Sequence, residues 1–388
     1  MNKNGRFYFD WAASAPFLLN RLCTLKDLDR PGFFGNPSSG HSEGRAARAA
    51  LEEARRVCME ALGADEGTIY FTSGATEANA IILFSMLYGH AGGVKQGLIT
   101  TAAEHPSITK NRAPLEYMGI PVHCISVDGY GAAVPGALEK ALRKYTDATM
   151  LALMYVNNET GAISDLSSLV KTARKRDGKA LHIHSDMVQA LGKIPFTLRD
   201  MDIDSAAFSA HKVGGPRGIG VLYLRKPVQV LCKGGGQEGD IRPGTENTLG
   251  ACHFAEAIRF RTETQIKAHE EATANMACLI EALRGMKRCT IIPECRQAVD
   301  ERYSPYILQA AFKDIPGEVM VRALDDLGFA VSTGSACSTG SKKRPVLNAI
   351  GIDDALAFTA IRISFGWTTK IDDINALVGA VHRILSQF

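Results

Sequence analysis

No uncharged apolar run in the sequence is suited to crossing a membrane; the longest, Ala78 to Val94, is interrupted by Asn79, Ser85 and His90. No charge of one sign dominates either. There are 44 Lys+Arg against 41 Asp+Glu in 388 residues, a formal net charge of +3, so neither nucleic acid nor a membrane surface is an expected partner. The opening stretch MNKNGRFYFDWAASAP lacks the apolar core of a signal peptide because Asp10 interrupts it. The nine cysteines are odd in number, form no CxxC and have no zinc-ligand spacing. A chain this long needs no disulfide staple, so reduced thiols and a cytoplasmic setting are expected, with most cysteines as small buried fillers. GxxxxGK[ST] and a strand-linked GxGxxG are also absent, which removes the usual ATP and NAD signatures.

What is present is an ordinary globular composition, 46% apolar and 22% charged, at a length for two or three domains. From Thr68 to about Leu224, short β-rich runs alternate with helical patterns. The strands are predicted at 68–72, 97–100, 121–127, 150–156, 181–185, 205–209 and 219–224. That alternation implies an α/β fold with a mainly parallel central sheet flanked by helices. The Gly/Pro-rich stretch Lys233 to Thr245 breaks the rhythm, and one long helical pattern follows from Asn247 to Leu283. The tail predicts strands near 306–312 and 359–365 and helices near 317–327 and 370–387. A large α/β domain over 17–260 and a smaller α+β domain from 1–16 and 261–388 are expected.

Ligands of such sheets lie at the carboxyl ends of the strands, so the residues there are the ones to question. Ser73-Gly74-Ala75-Thr76 opens a helix with small residues, as a phosphate cup does, although a plain N-cap reads the same way. His182, His184 and Asp186 share one strand face. Asp186 suits a pyridinium partner, the trio suits half of a metal site, and for the histidines a hydrogen-bonded strand end is the simplest reading. Lys212, between His211 and Gly214-Gly215, is placed for desolvation, which lowers an amine's pKa toward Schiff-base use; an ordinary lysine before a turn is the alternative. Arg362, on the strand face opposite Ile361 and Ile363, suits a carboxylate or a salt bridge equally. Cys337 lies in STGSACSTGS, a run of small residues that reads as a mobile loop and suits a travelling nucleophile.

These strings, with YFDWAASAP, FGNPSSGH, FTSGATEAN, AEHPS, VNNETG, SDMVQALGK, GGGQEGDIRPGTEN and IRISFG, occur in one order along the chain. The sequence resembles the cysteine desulfurases of the NifS/IscS type, in the class V aminotransferase group of pyridoxal-phosphate (PLP) enzymes of fold type I. The resemblance implies that PLP is held covalently by Lys212, with Asp186 at the pyridinium nitrogen, Gln189 at the phenolic oxygen and His105 stacked on the ring. It implies phosphate contacts from Ala75, Thr76, Ser209 and His211, with Thr245 reaching across from a second subunit of a homodimer. Asn158 falls at the substrate and cofactor edge, and Arg362 on the substrate carboxylate with Asn36 nearby. The implied reaction converts L-cysteine to L-alanine and leaves sulfur on Cys337 as a persulfide. An iron–sulfur scaffold or a tRNA thiolation protein would accept it.

Departures from the family pattern are a short stretch between Pro16 and Phe34, Pro243 where serine is common, a slightly shorter segment after Cys337, and an end at Phe388 without a scaffold-docking extension. Selenocysteine lyase is the alternative within PLP chemistry. A metallohydrolase on His182, His184 and Asp186 and a non-catalytic sulfur-transfer adaptor are the readings outside it.

Overall fold

The computed structural model describes residues 5–18, 29–91, 93, 96–176, 181–334 and 344–387. Seven strands form the main sheet. Their order across it is Thr68–Thr72, Gly220–Leu224, Ser205–Ser209, His182–Asp186, Met150–Met154, Leu98–Thr101, Val122–Ile125. Met150–Met154, Ser205–Ser209 and Gly220–Leu224 are buried at every position. Helices cover both faces, which is why these strands read as continuous apolar runs instead of alternating.

The five strands from Ser205–Ser209 to Val122–Ile125 pair in parallel. Gly220–Leu224 runs the other way, antiparallel to both Ser205–Ser209 and Thr68–Thr72. The reason is length: residues 210–219 are too few for a crossover helix, so the chain turns back on itself. This reversal sets Gly220 opposite Thr72 and Ser209, at the edge where the parallel strands end. Thr72, Asp186 and Ser209 therefore deliver their following segments to one rim.

A second, three-stranded antiparallel sheet orders Ala360–Ser364, Ile307–Phe312 and Cys289–Ile292. Its core gathers Ile307, Ile361 and Ile363 with Leu279, Leu324 and Val381 from three helices. Phe9, Trp11 and Ala15 join this same core. Phe7–Tyr8 pairs with Phe329–Ala330, and Trp11 meets Trp367 edge-on at 4.7 Å.

Two expectations are corrected. The single helix predicted over 247–283 is two, Thr248–Glu263 and Gln265–Arg284. At the break Thr264 leaves helical backbone angles (φ −101°, ψ 2°), while its N–H still bonds the Phe260 carbonyl at 3.2 Å. The cysteines are not mostly buried fillers: among the described ones only Cys58 is buried, while Cys124, Cys232 and Cys295 are exposed. Among the described residues no helix is long and apolar enough to cross a membrane.

Candidate active site

A cavity of about 420 Å³ opens at the rim where the strands end. It is built in three parts: a turn after one strand, a group of residues following other strand ends, and an arginine from the middle of strand Ala360–Ser364.

The first part is a turn and a helix start. Strand Thr68–Thr72 runs through Ser73-Gly74 into helix Ala75–Ala91. The first-turn N–H groups of a helix have no intrahelical partner, and their dipole favours an anion. Glu77 braces the turn, accepting from the Ser73 N–H and from Arg242 Nε. Ala75, Thr76, Ser209 and His211 all line this end of the cavity. Gly220 lies directly behind it. A Cβ there would sit 2.5 Å from Gly74 Cα and 2.6 Å from the Phe208 carbonyl oxygen, inside any allowed contact. We expect Gly220→Ala to push the turn outward and weaken PLP binding about tenfold or more, as measured by cofactor titration of the apoprotein. Circular dichroism should stay unchanged.

The second part faces the middle of the cavity. Asp186 ends strand His182–Asp186 and accepts from Asn79 Nδ2 at 2.9 Å and from the Val188 N–H at 3.1 Å. His105 caps the short helix Pro106–Thr109, its Nδ1 accepting from the Ser107 N–H. Burial pushes its pKa down, with Lys212 adding to the effect and Asp186 opposing it. Gln189 is held at both ends of its amide: Nε2 donates to the Ala12 carbonyl and Oε1 accepts from Lys193. Lys212 projects from the one-turn segment Ala210–Lys212 and donates to the carbonyls of Ala12 at 2.5 Å and Ala13 at 2.8 Å. Its pKa falls to about 8, chiefly through burial and then through Arg362, with Asp10 and Asp186 pulling the other way. Roughly a tenth of the amine is then neutral at pH 7, against fewer than one part in a thousand for an ordinary lysine.

The third part is Arg362, only 2% exposed. Its Nη1 donates to the carbonyls of Asn158 at 2.9 Å and Gly334 at 3.0 Å, and its Nη2 to Asp10 Oδ1 at 2.7 Å. Its Nε is buried and has no hydrogen-bond partner among the described residues. An orphaned guanidinium donor is costly, and a ligand carboxylate would satisfy it. The donor set as a whole fits PLP and an amino acid: helix-start N–H groups for phosphate, a carboxylate, an amine that loses its proton readily, and a spare Arg donor.

Of the predicted site residues, His105, Ala75, Thr76, Asn158, Asp186, Gln189, Ser209, His211, Lys212 and Arg362 line this one cavity. Asn36 and Thr245 do not line it: both are exposed, and Asn36 Oδ1 is engaged by the Ser38 N–H. Cys337 lies outside the described residues. His182 and His184 do not turn toward Asp186 as metal ligands but bond to Ser205 and Asn79. Among the described residues no three His, Cys, Asp or Glu side chains converge as a metal site. The sequence reading gave no role to Asp10, Ala12, Ala13, Asn79 or Ser107. Asp10 and Asn79 fall within YFDWAASAP and FTSGATEAN, but only the fold reveals what they touch.

Comparison with known proteins agrees with this geometry. The aminotransferase class-V family model matches residues 7–377. The cysteine desulfurase IscS of Dictyoglomus turgidum is 34% identical over 391 residues, covering 98% of this chain and 94% of that protein. A solved NifS-like protein superposes with a TM-score of 0.88 at 30% identity, covering 99% of this chain and 100% of the other. SspA, solved in complex with cysteine, superposes at a TM-score of 0.78 with 28% identity, covering 93% of this chain and 99% of the other. The chain therefore belongs to the class-V aminotransferase family of PLP-dependent enzymes, beside the cysteine desulfurases of the IscS/NifS group.

Proposed function

We propose that this protein removes sulfur from L-cysteine, releasing L-alanine and leaving a persulfide on Cys337. The observation that carries the reading is the joint presence, in one cavity, of an amine with a pKa near 8 at Lys212, the carboxylate of Asp186 and an Arg362 with an unused donor.

PLP, when bound, supplies the electron sink that makes the substrate Cα–H acidic. The chain's own groups do the rest. Arg362 takes the substrate carboxylate and so fixes which Cα bond faces the ring. The Lys212 amine is the base at Cα and can return the proton. With PLP bound, His105 would lie against the ring and Asp186 would pair with its ring nitrogen. The Cys337 thiolate attacks the substrate sulfur, the C–S bond breaks, and the carbon takes a proton to become alanine. Substrate thiol and enzyme thiol thus become alanine and Cys337–S–SH, with no external oxidant. Thr245 would complete the phosphate site of a partner subunit, in keeping with its exposure, and an acceptor protein in the cytoplasm, an iron–sulfur scaffold or a tRNA thiolation factor, would collect the sulfur.

The test is alanine release from L-cysteine with a thiol reductant, wild type beside Cys337→Ala. Alanine from the wild type and little from the variant is the expected result. Equal release from both would remove Cys337 from the mechanism and bring selenocysteine or simple elimination forward. No alanine from either, with the cofactor colour present, would leave the fold and refute the substrate.

A further inference from the structure

Behind the cavity lies a set of buried polar side chains for which the proposed chemistry has no use. His182 Nε2 is 2.7 Å from Ser205 Oγ, and Ser205 Oγ is 2.8 Å from His184 Nδ1. His184 Nε2 is 2.8 Å from Asn79 Oδ1. Asn79 Nδ2 is 2.9 Å from Asp186 Oδ2 and 2.8 Å from Ser107 Oγ. Ser107 Oγ is in turn 2.9 Å from His105 Nδ1. Asn79, His184 and Ser205 have no exposed surface.

The direction of every bond can be worked out from what each atom is able to do. A carboxylate oxygen only accepts, so the Asn79 group facing Asp186 is the NH₂ and the group facing His184 is the carbonyl oxygen. His184 Nε2 must then carry its hydrogen. Burial, and behind it the charge of His182, depresses the His184 pKa to about 3, so the ring is neutral. Its Nδ1 is therefore an acceptor and takes the single hydrogen of Ser205. The Ser205 oxygen is left to accept from His182 Nε2–H. Protonating His182, whose charged neighbours are Asp204 and Arg174, leaves that donor where it is.

The second N–H of Asn79 starts another branch. It donates to Ser107 Oγ, whose hydrogen goes to His105 Nδ1. The Ser107 N–H donates to the same nitrogen at 3.1 Å, so a neutral His105 carries its proton on Nε2. One amide thus aims a donor at the carboxylate of Asp186 and another at Ser107 Oγ, while the Ser107 N–H itself holds His105 Nδ1 as an acceptor.

We infer that Asn79 is a positioning residue for Asp186, its orientation fixed by that carboxylate and relayed through His184 and Ser205 to His182. Its relevance to PLP rests on the cofactor reading above; its geometry does not. A flipped Asn79 would point its oxygen at a carboxylate, so the chain admits one arrangement only. Asp186 is then fixed before a cofactor arrives, which is what preorganised binding requires.

Imidazole nitrogen NMR of the apoprotein tests the chain without cofactor, with His105→Gln and His184→Gln used to assign signals. The wild type should show both His184 and His105 with hydrogen on Nε2. Asn79→Ala removes both donors and the acceptor for His184. His184 should then lose its single tautomer, His105 should keep hydrogen on Nε2 because the Ser107 N–H still holds Nδ1, and PLP affinity should fall about tenfold, the loss of one charge-assisted bond. Asn79→Leu should do the same without opening a cavity. Hydrogen on His184 Nδ1 in the wild type would overturn the inference, as would a PLP affinity that both variants leave untouched. If neither variant folds by circular dichroism, the wild-type His184 tautomer decides alone. Failure of the wild type to take up PLP would refute the cofactor reading, while the nitrogen shifts still decide the chain.

Discussion

Lys212→Met abolishes turnover of L-cysteine, with an expected loss of at least about a thousandfold, and leaves PLP bound without a covalent link. Reversible cofactor loss on dialysis, against retention by the wild type, is the accompanying measurement. The same substitution has a second, opposite consequence for the apoprotein. Burial lowers the Lys212 pKa to about 8 from an ordinary 10.5, so folding disfavours its protonated form. Below pH 8 the lysine is protonated in both states and the full cost is present. Between pH 8 and about 10.5 the unfolded chain binds more protons than the folded one, so stability rises with pH through that window. Removing the amine should therefore stabilise the apoprotein at pH 7 by about 3 kcal/mol, with the advantage shrinking as pH approaches 10. Thermal melts of the two apoproteins at pH 7 and pH 9.5 measure it. An advantage that grows with pH would contradict the burial of Lys212.

Arg362→Leu should lower kcat/KM for L-cysteine by roughly a hundredfold to a thousandfold, the range for removing one partner of a buried charge contact. Most of the loss should appear in KM, because the carboxylate grip is made in the ground state as well as in the transition state. Arg362 is also the second-largest influence lowering the Lys212 pKa. In the variant the acid limb of the pH–rate profile should move upward, toward higher pH, because less amine is neutral at any given pH. Arg362→Lys separates the two effects: it keeps the charge beside Lys212 but loses the two-pronged fork. A variant with unchanged KM would remove Arg362 from substrate binding.

The main sheet was legible from the sequence because buried strands announce themselves as short β-branched and aromatic runs bounded by turns. The candidate site residues were drawn out by the family motifs, since a lysine before a turn or a hydrogen-bonded carboxylate at a strand end each has an ordinary structural explanation on its own. What was not legible depends on contacts far apart in the chain. The reversed direction of Gly220–Leu224 follows from loop length and from which strands it pairs with. The break at Thr264 is a change in one residue's backbone angles, with no glycine or proline beside it to announce it. Asn79 meets Asp186 across a separation of 107 residues, and nothing local marks that asparagine out from any other on a helix. Asn36, which family order draws toward the substrate, accepts from the Ser38 N–H in its own turn and lies outside the cavity lining.

The segment carrying Asp10, Ala12 and Ala13 has a consequence for biosynthesis. Ala12 and Ala13 hold the Lys212 amine, and Asp10 holds Arg362 across 352 residues of chain. Such distant pairings close late, because the loop entropy comes before the reward. A ribosome-bound chain lacking Arg362 can have its main sheet in place and its phosphate turn formed. Its N-terminal segment still lacks the second core into which Phe9 and Trp11 pack. The carbonyl cradle of the lysine and the carboxylate grip are therefore both completed by the last part of the chain to be made.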